Sequence, residues 1–124
     1  MNQITTLSGK KASILGLGTN PNMDSECIST AYQEGINYFF FYTFHRSDLV
    51  EKCRHLAQNY RSEIILATGS EKRNSNDLEA YRQEFCEQLS VKYIDVFFLE
   101  YISPKDDLLQ VEQLINYFCG KKQV

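Results

Sequence analysis

Two runs of apolar and aromatic residues constrain this chain more than anything else in it. They are Gly35-Ile36-Asn37-Tyr38-Phe39-Phe40-Phe41-Tyr42 and Tyr93-Ile94-Asp95-Val96-Phe97-Phe98-Leu99-Glu100. A strand with one face in water alternates apolar and polar residues, whereas a strand covered on both faces has no need to. Both runs have strand length and are rich in Phe, Tyr, Ile and Val, which suit a pleated surface. Two such strands call for a sheet with cover on both sides, and a parallel sheet with helices between its strands supplies it.

The rest of the chain fits that expectation. Ile14 to Thr19 reads as a first strand broken by glycines, and Ser8-Gly9 predicts a small hairpin over Ile4 to Ala12. Asp24 or Ser25 can cap a helix carrying Cys27, Ile28, Ala31 and Tyr32, closed by Gly35. The second strand is expected over Asn37 to Tyr42. Ser47 then opens a helix with Leu49, Cys53, Leu56 and Tyr60 at helical spacing. Ile64 to Thr68 is a third strand, ended by Gly69. Asn76 and Glu79 have the spacing of a capping box, ahead of a stripe of Leu78, Tyr81, Phe85 and Leu89. Ile94 to Tyr101 is the fourth strand. Ser103-Pro104 suits an N-cap and first-turn proline, with Leu108, Val111, Leu114, Ile115 and Phe118 turned to the core. Strand and helix alternate four times, and residues 1–124 are read as one α/β domain with right-handed crossovers.

At 124 residues and 43% hydrophobic content the chain can bury a core. Its net charge of −3 gives no general attraction to nucleic acid or anionic membrane, so neither partner is expected. Lys72-Arg73 and Lys121-Lys122 read as solvated surface. Met1-Asn2-Gln3 does not open a signal peptide and no apolar run reaches membrane-spanning length, so a cytoplasmic location is expected. Cys27, Cys53, Cys86 and Cys119 form no close pair. Each lies in or beside a helical pattern, mostly on its apolar side, which predicts reduced core thiols and no zinc site.

Four segments, in order, carry a resemblance. Leu15-Gly16-Leu17-Gly18-Thr19 resembles the glycine-rich first strand of the aldo-keto reductases, and Gly35-Ile36-Asn37-Tyr38-Phe39 the start of their second strand. Arg61-Ser62-Glu63-Ile64-Ile65-Leu66-Ala67-Thr68 is similar to the segment leading to that family's catalytic lysine. Leu89-Ser90-Val91-Lys92-Tyr93-Ile94-Asp95-Val96-Phe97-Phe98-Leu99 is similar to the stretch before its histidine. The resemblance implies a (βα)4 half of a TIM-type (β/α)8 barrel, like the amino-terminal half of such a reductase.

In that family NADPH delivers hydride, a tyrosine donates the proton, a lysine paired with an aspartate tunes the tyrosine, and a histidine orients the carbonyl. Carried onto this sequence, the aspartate falls on Phe40, the tyrosine on His45 (Phe44 if the register slips by one), the lysine on Gly69 and the histidine on Glu100. A branch that reduces steroid double bonds also has glutamate at the histidine position, but it keeps the tyrosine and lysine. Gly18 and Thr19 match a cofactor-contacting segment at the nicotinamide end. The resemblance therefore implies NADP, while most of its binding loops lie in the half of the barrel beyond this sequence. Tight NADP binding by this chain alone is not expected.

These residues lead to three expectations. The first is a degenerate, vestigial or truncated aldo-keto-reductase-like protein without carbonyl-reductase activity of its own. The second is an NADP-dependent oxidoreductase with a rebuilt site, in which Glu100 raises the pKa of His45 and another chain completes the cofactor site. The third is a small flavodoxin-like ligand-binding domain. Tyr42 and Tyr101 could line a pocket beside His45 and Glu100, although packing is the simpler role for both. Gly69-Ser70-Glu71-Lys72-Arg73 lacks the glycine spacing of a phosphate loop and is read as an ordinary loop in which Lys72 could swing toward the vacant lysine site. His55 is read as a solvated helix residue. An open half-barrel would also leave Tyr38, Phe40, Ile65, Ala67, Val96 and Phe98 facing the missing strands. Two remedies are expected: self-association or union with a second half-barrel, or an altered sheet order covered by the terminal segments.

Overall fold

The computed structural model describes residues 3–6, 8–20, 22–42 and 47–119. A hairpin of β1 (Gln3–Thr5) and β2 (Lys11–Ser13) comes first, followed by β3 (Leu17–Gly18) and α1 (Glu26–Gln33). Then come β4 (Tyr38–Phe41), α2 (Ser47–Tyr60), β5 (Ile65–Ser70), α3 (Ser75–Leu89), β6 (Val96–Leu99) and α4 (Leu108–Cys119). The four strands after the hairpin form one parallel sheet in the order β3-β4-β5-β6. That order follows the chain and lacks the reversal of a doubly wound sheet, where strand order turns back at a switch point.

The alternation of side chains sorts the sheet into two faces. Phe39, Phe41, Ile64 and Leu66 pack with Ile28, Leu49, Val50, Cys53, Phe85 and Leu89 of the first three helices. Phe97 and Leu99 continue the same face under α4, where Leu78, Leu114 and Phe118 form a second cluster. The ring of Phe97 stacks on that of Phe118 at 5.7 Å. The opposite face carries the alternate residues: Tyr38 and Phe40 on β4, Ile65, Ala67 and Gly69 on β5, and Val96 and Phe98 on β6.

The predicted hairpin forms, turned by Gly9 at φ +87°. Gly35, at φ +94°, ends α1 in the left-handed conformation that favours glycine. Several expected boundaries move. The first strand is only Leu17–Gly18 rather than Ile14 to Thr19, because pairing with β4 begins at Leu17↔Phe39. The third strand does not end at Gly69, which pairs with Phe98 inside β5. The fourth strand stops at Leu99 instead of Tyr101, whose φ of +57° breaks the extended backbone.

Two caps also differ from expectation. Asn74, not Asn76, caps α3: its Oδ1 accepts from the Asp77 amide at 2.8 Å, while Glu79 turns along the helix to Arg82. Asp107, not Ser103, caps α4, its carboxylate accepting from the amide of Leu109 at 3.0 Å. Ser103 instead donates its backbone N–H to Asp106 at 2.8 Å in the preceding turn. With the helix start displaced, Leu108 and Ile115 fall on the exposed side and only Val111, Leu114 and Phe118 are buried. The thiols divide as well: Cys53 and Cys86 are core residues, whereas Cys27 and Cys119 are exposed because their helices turn those positions outward. Burial pushes the Cys53 thiol up to about 12, so it packs as a small neutral hydrophobe. Among the described residues, no helix is long and apolar enough to cross a membrane.

Candidate functional site

The carboxyl ends of the parallel strands bring together three of the positions singled out in the sequence, Phe40, Gly69 and Glu100. His45 lies outside the described residues. Phe40 and Phe98 belong to strands separated by β5, yet their ring centroids are 5.9 Å apart. Strands two apart in a sheet lie nearly 10 Å from one another, so the rings must lean together across the middle strand. They can do so because β5 presents Ala67 and Gly69, its smallest side chains, to this face. Ile65 and Ala67 are thereby fully buried, which corrects the expectation that all six inward residues stay open, while Phe98 remains 43% exposed.

One step further along, Glu100 lies over Gly69. A Cβ built at Gly69 would stand 2.6 Å from Glu100 Oε1 and 2.8 Å from Cδ. The glycine thus makes room for the carboxylate, and any larger side chain at 69 would have to displace it. Burial is the main influence that holds the Glu100 carboxyl above the usual carboxylate range, with the charge of Glu71 adding to it. Interaction with the Tyr101 side chain, then burial and the charges of Glu100 and Glu71, pushes the Tyr42 phenol up. Tyr81 sits beneath, on the helix side, with its hydroxyl 2.7 Å from that of Thr68. Its phenol is also raised, chiefly by burial and then by Glu100 and Glu84 against the opposing effect of Thr68. The rim therefore favours neutral acids and disfavours anions.

The loops around the rim are fastened by Arg73, which was expected to be solvated surface. Its Nε donates to Asp106 at 2.8 Å, and its terminal nitrogens donate to the carbonyl oxygens of Glu71, Lys72 and Glu100. One planar guanidinium thus ties the loop after β5 to the loop after β6. The Ser103 amide first, and then Arg73, holds the Asp106 carboxyl below the usual carboxylate range. Lys72 is exposed, and among the described residues its side chain makes no bond across the rim; Gly69 lies in β5 and Arg73 is saturated, so neither is free to cradle a phosphate. Gly18 offers open space around its ideal Cβ position, and the Thr19 amide donates to the Phe40 carbonyl at 3.0 Å. His55 is exposed on α2, as expected.

The opposite end of the sheet holds a cluster absent from the sequence-based expectations. The Asp95 side chain is 1% exposed, and its two oxygens meet Lys10 Nζ and Arg61 Nη1, each at 2.8 Å. Asp95 also accepts from the Leu66 amide, while Arg61 lies over the Tyr93 ring at 3.8 Å. The signal was legible in principle: a carboxylate embedded in Ile94-Asp95-Val96, inside a strand run, must find a buried partner. Among the described residues no three His, Cys, Asp or Glu side chains are grouped closely enough to hold a metal ion. No protein-family model matches this chain, and no curated protein matches it significantly.

Proposed function

We propose that this chain is an aldo-keto-reductase-like (βα)4 half-barrel of TIM type that performs no carbonyl reduction on its own and acts as a noncatalytic interaction module. The observation that carries this reading is the joint arrangement at the strand ends. Phe40 closes on Phe98 where an aspartate would have to hold a lysine, and Glu100 occupies the space that a side chain at Gly69 would need. The consecutive strand order supports a barrel segment over a flavodoxin-like sheet.

The electrostatics of the rim point the same way. A reductase of this kind needs a phenol made more acidic by a neighbouring cation, and the Tyr42 phenol is displaced in the opposite direction. Removing a placed proton donor alone costs about 10²–10⁴-fold in rate. The residues present also do not fit a dinucleotide. Gly18 leaves room for a flat ring, but Arg73 is spent on Asp106 and three carbonyls, and Glu71 and Glu100 would repel phosphates.

Titrating the purified chain with NADPH, followed by nucleotide fluorescence, and assaying aldehyde-dependent NADPH oxidation test the proposal. No saturable binding in the micromolar range and no turnover above the buffer rate are expected. One feature favours the second reading, an oxidoreductase rebuilt around His45 and Glu100: the raised Glu100 carboxyl holds its proton more readily than a surface glutamate. Saturable NADPH binding with turnover abolished by Glu100→Gln would establish that reading in place of the first.

A further inference from the structure

We infer that the partner of this module is a second copy of the same chain, and that two copies close one parallel eight-stranded barrel. The inference rests on the half-barrel reading above and adds the identity of what covers its open side. Among the described residues β3 pairs only with β4, and β6 only with β5, so each end of the sheet offers unpaired backbone groups. All-parallel sheets occur almost solely with both faces covered. Here the helices cover one face, and Tyr38, Phe40 and Val96 are left half-buried on the other.

Part of the exposed apolar surface lies along the two edges that would meet, the rest being spread over β1, α2, α4 and the residue after β4. Ile14 and Leu15, leading into β3, are 55% and 57% exposed. Phe98, Tyr101 and Ile102, in and after β6, are 43%, 69% and 49% exposed. With large side chains offering about 150–250 Å² each, these five leave roughly 500 Å² in water. That is the size of the largest apolar patch on a typical monomer, roughly 300–600 Å² and often functional, and with the backbone edges and the half-buried inward side chains it approaches the ~800 Å² per partner of a stable dimer.

The strand count and the inward residues select the geometry. A twofold axis parallel to the strands keeps all eight parallel and sets β6 of each copy beside β3 of the other, an isologous arrangement. Eight strands is the number at which a barrel interior just fills with side chains. Such interiors are filled by layers of four side chains from alternate strands. Phe40 and Phe98 come from alternate strands and already lean together across β5. With the same two rings of a second copy they make one complete layer.

Sedimentation equilibrium and small-angle X-ray scattering on the purified chain test this. The expected result is twice the 14.4 kDa chain mass and a radius of gyration of ~18 Å, against ~14 Å for a compact monomer. Phe98→Lys should weaken the dimer at least about tenfold, the cost of one misplaced interface charge, and Leu108→Lys, at an exposed position on α4, should leave it unchanged. If Phe98→Lys does not fold, Phe98→Ala takes its place with the same direction of effect. A monomer throughout the micromolar range, a dimer much more extended than ~18 Å, or a dimer indifferent to both Phe98 variants would overturn the inference. The two proposals fail separately. A compact dimer that oxidises NADPH would remove the noncatalytic reading alone, and a monomer that ignores NADPH would remove only the dimer.

Discussion

The two ends of the parallel sheet are built on opposite principles. At the amino ends of the strands, a buried carboxylate is saturated: Asp95 meets Lys10, Arg61 and the Leu66 amide, and Tyr93 lies under both cations. At the carboxyl ends, Glu100 is drawn out of water beside another carboxylate, with aromatic rings leaning together below it. The first arrangement satisfies every oxygen and locks the hairpin to the sheet. The second leaves a carboxylate raised in pKa and an apolar surface unfinished. The lesson is that one sheet can pair its buried charge fully at one end and leave apolar surface open at the other.

The contrast can be broken most directly at Asp95. Asp95→Ala leaves Lys10 and Arg61 buried without their counter-charge and should cost about 3–5 kcal/mol in urea unfolding. A loss below ~1 kcal/mol, the range of an exposed ion pair, would show that the lower cluster is no anchor. The two faces of β4 provide the next comparison. Phe39, fully buried under the helices, should cost about 3–5 kcal/mol when cut to alanine. Its neighbour Phe40, half-buried on the open face, should cost clearly less in the same urea titration. Equal losses would mean that the inward face is as well packed as the core.

Arg73→Ala sharpens the picture of the rim. It removes the guanidinium bridging the two loops and should cost about 1.5–3 kcal/mol, the value of one hydrogen bond to a charged group, since the freed partners regain water. Amide exchange should quicken over Glu71–Asn74 and Ser103–Asp106 while β5 stays protected. Uniform exchange across the chain would assign Arg73 a global role instead.

The smallest effect is a matter of sign. Glu100 binds its proton more tightly in the folded state, so its contribution weakens folding as pH rises from the ordinary carboxylate range through its raised value. Asp106, held low, does the reverse: its stabilisation is present above the ordinary range and is lost as pH falls through its depressed value. Glu100→Gln should therefore raise the melting temperature slightly at neutral pH and have little effect at acid pH, read by thermal unfolding at the two pH values. A drop at neutral pH would indicate that the Glu100 carboxylate is stabilised by a contact other than those described.

Much of this arrangement is legible in the order of residues. The uninterrupted apolar runs around Phe39 and Phe97 identify covered strands, and the spacing of Leu49 and Cys53 or of Leu78, Phe85 and Leu89 identifies helix faces. These signals are local, since a residue's face is set by its neighbours in sequence through the periods of helix and strand. Element ends are less legible. Asn74 and Asp77 offer the same capping spacing as Asn76 and Glu79, and only packing chooses between them.

The chain's own pattern therefore establishes the alternation of strand and helix and the inward or outward sense of each side chain. Which polar groups meet is settled only once the chain is folded. Lys10 and Asp95 are 85 positions apart, and Arg73 and Asp106 are 33. Folding also sets Glu100 on Gly69 and lets two phenylalanines on separate strands touch over a strand of small residues. Such contacts depend on how strands align side by side, and the two-residue period of a strand excludes a one-residue slip against its neighbour but does not distinguish registers that differ by two.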